Sequence, residues 1–148
     1  MISGLGQDGD KYHIVNFAED SGEHVSVDET STMAVFVAPK DCQIVDVGLA
    51  VTTAVTAHST NHWTINITNQ TGSLELLSDN FDTDSDNSGN GGRSLTADTV
   101  NSINDNGSGT DYLQNGTLAK GDVLLLTATL ASSGTALAYP VIVVTYRT

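Results

Sequence analysis

Val123-Leu-Leu-Leu-Thr-Ala-Thr-Leu130 and Tyr139-Pro-Val-Ile-Val-Val-Thr-Tyr146 are the two densest apolar runs of the chain, with Ala131-Ser-Ser-Gly-Thr-Ala136 between them. β-Branched and aromatic residues in short runs, punctuated by Gly, Ser and Pro, form strands rather than helix. The small polar segment suits a reversal, so the two runs read as a pair. In the first run Leu124, Leu126, Ala128 and Leu130 lie opposite Val123, Leu125, Thr127 and Thr129. Apolar side chains on both faces predict central strands of a packed sheet, not an edge.

Working outward, the earlier segments have the same character. Lys11-Tyr-His-Ile-Val-Asn-Phe17 is a strand with Tyr12 and Ile14 on one face and Val15 and Phe17 on the other. Thr32-Met-Ala-Val-Phe-Val-Ala38 is a buried strand stopped by Pro39, which turns into a long strand from Cys42. There Val45, Val47, Leu49 and Val51 are expected to share a face, and Gly48 marks a bulge or a close approach. His62-Trp-Thr-Ile-Asn-Ile-Thr68 alternates, with Trp63, Ile65 and Ile67 directed inward. Residues 78–111 differ, being rich in Asp, Asn, Ser and Gly. A structureless loop of that length is unusual in a compact domain. Ser94 as an N-cap, with Leu95, Thr99 and Ile103 at i, i+4 and i+8, admits a short helix there, and a strand fits as well. The prediction is an all-β fold: a single antiparallel β-sandwich or jelly roll over residues 11–148. A polar, glycine-bearing arm over residues 1–10 precedes it, either disordered or ordered against a partner.

The chain has 148 residues, enough for one domain, with 18 acidic residues against 5 basic ones and a formal net charge of −13. Lys11, Lys40, Arg93, Lys120 and Arg147 are scattered and form no patch. Contact with a phosphate backbone depends on clustered cations, so nucleic acid and anionic membrane are excluded as partners. No apolar run approaches the ~20 residues needed to cross a bilayer. The first ten residues have neither the basic nor the apolar region of a signal peptide. Cys42 is the only cysteine, which excludes an internal disulfide and a thiolate cluster. At the head of an apolar strand it reads as a small buried thiol.

The sharpest chemical motif is Asp82-Thr-Asp-Ser-Asp-Asn-Ser-Gly-Asn-Gly-Gly92. Asp82, Asp84 and Asp86 match the first three ligand positions of a Ca²⁺ loop, where hard carboxylate oxygens converge on a hard cation. The match ends at the sixth position, where Asn87 replaces Gly, and at the twelfth, where Arg93 replaces the bidentate Glu. His58 and His62 are four apart but flank a loop, without a third ligand nearby. No Gly-x-Ser-x-Gly elbow occurs, and in so acidic a chain no carboxylate pair is distinguished from another. The four Asn-x-Ser/Thr sequons at Asn66, Asn69, Asn106 and Asn115 follow from an Asn- and Thr-rich composition. No catalytic group is assigned, and the expectation is a protein that is not an enzyme.

Val35-Phe-Val-Ala-Pro-Lys-Asp-Cys-Gln-Ile-Val45, Asn66-Ile-Thr-Asn-Gln-Thr-Gly72 and Leu118-Ala-Lys-Gly-Asp-Val-Leu-Leu-Leu-Thr127, with the closing run to Tyr146, carry a resemblance. In pattern, over residues 33–147, the chain resembles the jelly-roll head decoration (cement) proteins of tailed bacteriophages. The resemblance implies a non-enzymatic virion protein, assembled in the host cytoplasm. It would bind the outer surface of the head, as a trimer, and bridge subunits of the major capsid protein. Homo-oligomer contacts are then sought on the exposed faces of strands 11–17 and 62–68. Similar sandwiches serve as tail-fibre and baseplate modules. A third class is a carbohydrate- or receptor-binding sandwich, in which Trp63 or Tyr112 would stack on sugar. Trp63 shares a face with Ile65 and Ile67, which favours a place in the core.

Overall fold

The clean alternation at residues 63–69 sets the frame. In the computed structural model, which describes residues 9–17 and 26–148, Trp63, Ile65 and Ile67 are fully buried while Thr64, Asn66 and Thr68 remain partly exposed. The arm expected over residues 1–10 lies outside the described residues as far as residue 8. Among the described residues ten strands are present: β1 (Lys11–Asn16), β2 (Ser31–Val37), β3 (Cys42–Ala50), β4 (Trp63–Asn69), β5 (Leu74–Glu75), β6 (Phe81–Asp82), β7 (Val100–Ser102), β8 (Thr117–Leu118), β9 (Val123–Leu130) and β10 (Val141–Arg147). They form two five-stranded sheets. One has the order β1-β10-β3-β7 with β8 also on β3; the other has β2-β9-β4-β5 with β6 also on β4. Every pair between named strands is antiparallel.

The pairs are nested. β1 pairs β10, β2 pairs β9, β3 pairs β8 and β7, and β4 pairs β6 and β5. One long hairpin, folded over so that successive pairs fall in alternate sheets, is the jelly roll, with the sandwich core between its two layers. That core joins residues from every part of the chain, from Phe17 and Val27 through Leu76, Phe81 and Leu95 to Ile142 and Val144.

The two C-terminal runs are both central strands, but they do not pair with each other. β9 lies between β2 and β4, and β10 lies between β1 and β3. Leu124, Leu126 and Ala128 of β9 and Ile142 and Val144 of β10 enter the same core from opposite layers. Residues 131–140 therefore cross between sheets instead of reversing within one. The crossing is pinned by Ala131 N–H to His62 O at 2.9 Å, by Trp63 Nε1–H to Thr135 O at 2.8 Å, and by a Val27–Leu137 bridge.

Two bulges correct the expected faces. On β3 the register steps from Thr145–Asp46 to Tyr146–Ile44, leaving Val45 as the extra residue. Ile44 and Val47 are buried and Val45 is not, so Val45 leaves the face shared by Val47, Leu49 and Val51. On β2 Val35 is the extra residue, which lets Val35 and Phe36 both turn inward. Phe36 then meets the Tyr146 ring at 5.0 Å and the His13 ring at 5.6 Å, closing the core between the two sheets. Gly48 marks a close approach, not a bulge: a Cβ there would lie 2.3 Å from Val100 Cγ1.

The long polar segment is not a loose loop. β6 and β7 lie in it, and Leu95 exchanges both backbone bonds with Val55 at 2.8 and 3.0 Å. No helix forms among the described residues, hence none long and apolar enough to cross a membrane. Leu95 and Ile103, whose spacing admits a helical face, are both fully buried, but on an extended path. Ser94 caps nothing; its Oγ accepts the Ala57 N–H at 3.0 Å.

Candidate functional site

Asp82, Asp84 and Asp86 lie where β6 leaves the sheet, at the end of the sandwich that also carries His62. The sequence brings them close, but Asp82 and Asp84 spend carboxylate oxygens on bonds within their own loop. Asp82 is buried, and its Oδ1 accepts the N–H groups of Asp84 at 3.0 Å and Gly92 at 3.2 Å. Its Oδ2 accepts Asn87 Nδ2 at 2.7 Å. Asp84 Oδ1 accepts the Asp86 N–H at 3.0 Å, and Asp86 is exposed. The carboxylates of Asp82 and Asp84 thus fold the chain two residues on, the habitual role of Asp in turns. Gly91 and Gly92 make the wrap possible. A Cβ on Gly91 would meet Asp82 Oδ1 at 2.6 Å, and Gly92 has φ +70°.

Among the described residues no three acidic, His or Cys side chains converge as a metal-holding group. His62 Nδ1 is buried without a hydrogen-bond partner and stands 3.9 Å from Asp84 Oδ2. His58 turns away, its Nδ1 accepting the N–H groups of Thr60 at 3.0 Å and Asn61 at 3.2 Å. The expected result of adding millimolar Ca²⁺ is an unchanged melting temperature, because binding would first have to break the loop's own bonds. A rise that EDTA reverses would overturn this account, since a ligand that binds only the folded state must stabilise it.

What the sequence did not disclose is how the loop is held. Asn90 is fully buried and uses both ends of its amide. Its Nδ2 donates to Asp79 O at 2.9 Å and Ile103 O at 2.8 Å, while its Oδ1 accepts from Arg93 at 3.2 Å. Arg93 also donates to Ser102 O at 3.0 Å and stacks over the Phe81 ring at 5.0 Å. Burial lowers the pKa of its guanidinium, with Asp105 and Tyr112 acting the other way; an arginine still stays charged. Asn104 fills the gap on β3 between β8 and β7, its Oδ1 accepting the buried Val47 N–H at 2.7 Å. Buried polar groups must be paired, and here side-chain amides do what a strand would do. A run of Asn among buried aliphatics was the only signal available.

The remaining candidates are structural in their contacts. Trp63 has no exposed surface and cannot stack on a sugar. Tyr112 is half-buried, its hydroxyl accepting from Asn106 Nδ2 at 3.3 Å. Cys42 is buried, and burial, then Asp41 and Asp122, push its thiol pKa up, away from reactivity. Among the described residues no cleft or cavity of ligand size opens.

The outer sheet faces are the other feature of note. On the β1-β10-β3-β7 sheet, Tyr12, Ile14 and Val100 are 67 %, 66 % and 52 % exposed, and Val141, Val143 and Ala50 lie among them. On that face the Asp46 carboxylate accepts the Ser102 hydroxyl at 2.7 Å, and Asp10 is paired with Arg147 at its corner. The opposite face mixes hydroxyls, Thr32 Oγ1 and Thr127 Oγ1 being 2.9 Å apart, with the exposed Val37 and, beside Thr68, the exposed Glu75. Most described acidic residues sit in the connections, with Asp46, Glu75 and Asp82 in strands. Compared with protein-family models, with curated proteins and with solved structures, the chain matches none of them.

Proposed function

We propose that this chain is a non-enzymatic structural protein of a tailed-phage particle, binding the outside of the head and bridging major capsid subunits. The observation that carries the reading is the distribution of surface chemistry. Both broad faces of the sandwich carry few charges, while most described acidic residues lie in the connections. Flat faces with few charges suit burial against other protein, whereas a free soluble domain gains from charge spread over its sheets. The acidic ends keep densely arrayed copies soluble and repel nucleic acid. The side chains that could have carried chemistry are spent on the fold: aspartates in turns, asparagines in place of strands, the thiol in the core. A jelly roll by itself says nothing of function, so the reading rests on these surfaces and on the sequence resemblance.

The test is quantitative mass spectrometry of purified particles from the source of the chain. The expected result is a copy number in proportion to the major capsid protein. A copy number far below it would move the protein to the tail or a fibre. Absence from the particle would overturn the virion reading and favour a free binding module.

A further inference from the structure

A sandwich has four sheet edges, and an open edge is a template for another strand unless it is blunted. Three are blunted here. β2 is broken by its Val35 bulge, and on the far side β5, β6 and β8 are two residues long and β7 three. β1 is different. It runs for six residues in unbroken register with β10, from Lys11 opposite Tyr146 to Asn16 opposite Val141, and contains no acidic residue.

The Phe17 N–H donates to Pro140 O at 2.9 Å, which fixes the phase of the ladder. Bonding direction alternates along an antiparallel strand, so Lys11, His13 and Val15 address β10 and Tyr12, Ile14 and Asn16 address the open side. No described strand meets them there. Tyr12 and Ile14 are also the most exposed large apolar side chains among the described residues. Outward backbone and outward apolar surface therefore coincide on one strand.

We propose that β1 pairs with β1 of a second copy of this chain, antiparallel about a two-fold axis at Ile14, so that one sheet continues through two molecules. In this register Ile14 faces Ile14, Tyr12 of each copy faces Asn16 of the other, and every outward backbone group of the three residues is used. The cross-strand pairs are of the apolar kind that stabilises sheets. Charge favours this edge for a like-charged copy. The chain carries −13, yet residues 11–16 hold only Lys11, whose Nζ bonds the Thr148 hydroxyl, and the adjacent Asp10 is paired with Arg147 at 2.5 Å. An antiparallel edge pair is its own complement and closes at two copies, in place of the trimer that the resemblance implies. The proposal does not depend on the virion reading and is tested on the isolated protein.

The experiment is sedimentation equilibrium on the full chain over about 1–100 μM, bracketing ordinary dimer affinities. The wild type is expected at twice the chain mass, dissociating on dilution. Ile14→Pro removes an N–H that β10 does not use, a change edge strands tolerate. Ile14→Lys sets two like charges opposite each other. Both variants are expected to raise the dissociation constant about 10- to 100-fold while keeping the near-UV dichroism of buried Trp63. If the proline variant loses that signal, the lysine variant alone decides. A wild type at the single-chain mass throughout, a trimer mass, or folded variants that dimerise like the wild type would each overturn the proposal.

Discussion

Replacing Trp63 by alanine is expected to lower the unfolding free energy by about 3–5 kcal/mol, read as a shift in urea midpoint at constant slope. The indole is the largest fully buried side chain of the core, and it also reaches Thr135 O at 2.8 Å. It therefore fills the layer between the sheets and holds the crossing that carries the chain from β9 to β10. Domains of this kind are stable by only about 5–15 kcal/mol, so the variant should stand near the limit of folding. Trp63→Phe separates the two roles. It keeps most of the volume and leaves Thr135 O without its donor, for an expected loss of about 1–2 kcal/mol. A loss below about 1 kcal/mol for alanine would mean that the site collapses around the deletion, and the anchoring role would be abandoned.

The second large effect is expected at Asn104. Its amide oxygen takes the buried Val47 N–H, and its Nδ2 donates to Asp111 Oδ1 at 3.0 Å. Leucine has a similar shape and no acceptor, so Asn104→Leu leaves a buried N–H unpaired at a cost of about 2–3 kcal/mol. The location is read by hydrogen exchange: the Val47 amide should lose protection while the Leu49 amide, one residue pair nearer β7, keeps it. If Val47 stays protected in the variant, another group covers it and Asn104 is not a substitute strand. Asn104→Asp restores the acceptor but places a carboxylate against Asp111. Its stability should therefore improve as the pH falls through the carboxylate range, opposite to the acid response of most proteins.

These two residues mark how far the sequence could be read. Around Trp63, period-two alternation is a direct image of burial, and the strand, its inward face and the core position of the indole all follow from it. β9 and β10 were equally legible as central strands. Their pairing was not, because residues 131–140 contain the same small polar residues whether they reverse within a sheet or cross between two. The bulges at Val35 and Val45 left no mark, since a slip of one residue in a run of valines does not alter the composition. The segment from 78 to 111 was least legible. Its order comes from side chains that bond to backbone, and Asn90, Asn104 and Asn101, whose Nδ2 donates to Leu49 O at 3.1 Å, in sequence look like solvated loop. The aspartate triplet is ambiguous for the same reason: spacing that suits a cation equally suits successive turns, and in the fold Asp82 and Asp84 each bond the backbone two residues on. Surface chemistry was half visible, since the outward Tyr12 and Ile14 could be placed on one face but not recognised as an open edge.

The nesting of the strands has a mechanical consequence. The chain enters β1 beside the point where it leaves β10, one strand spacing of about 5 Å away and at the same corner of the sandwich. Tension applied between residues on either side of the fold would load the Lys11–Tyr146 pair first and then each pair in turn. The strands would peel rather than shear, and the sheets behind them would bear no load until β1 had come away. A tether at either side hangs the sandwich from that corner, with the aspartate-rich turns of β6 at the far end. Such a domain resists pressure across its faces far better than a pull on its chain.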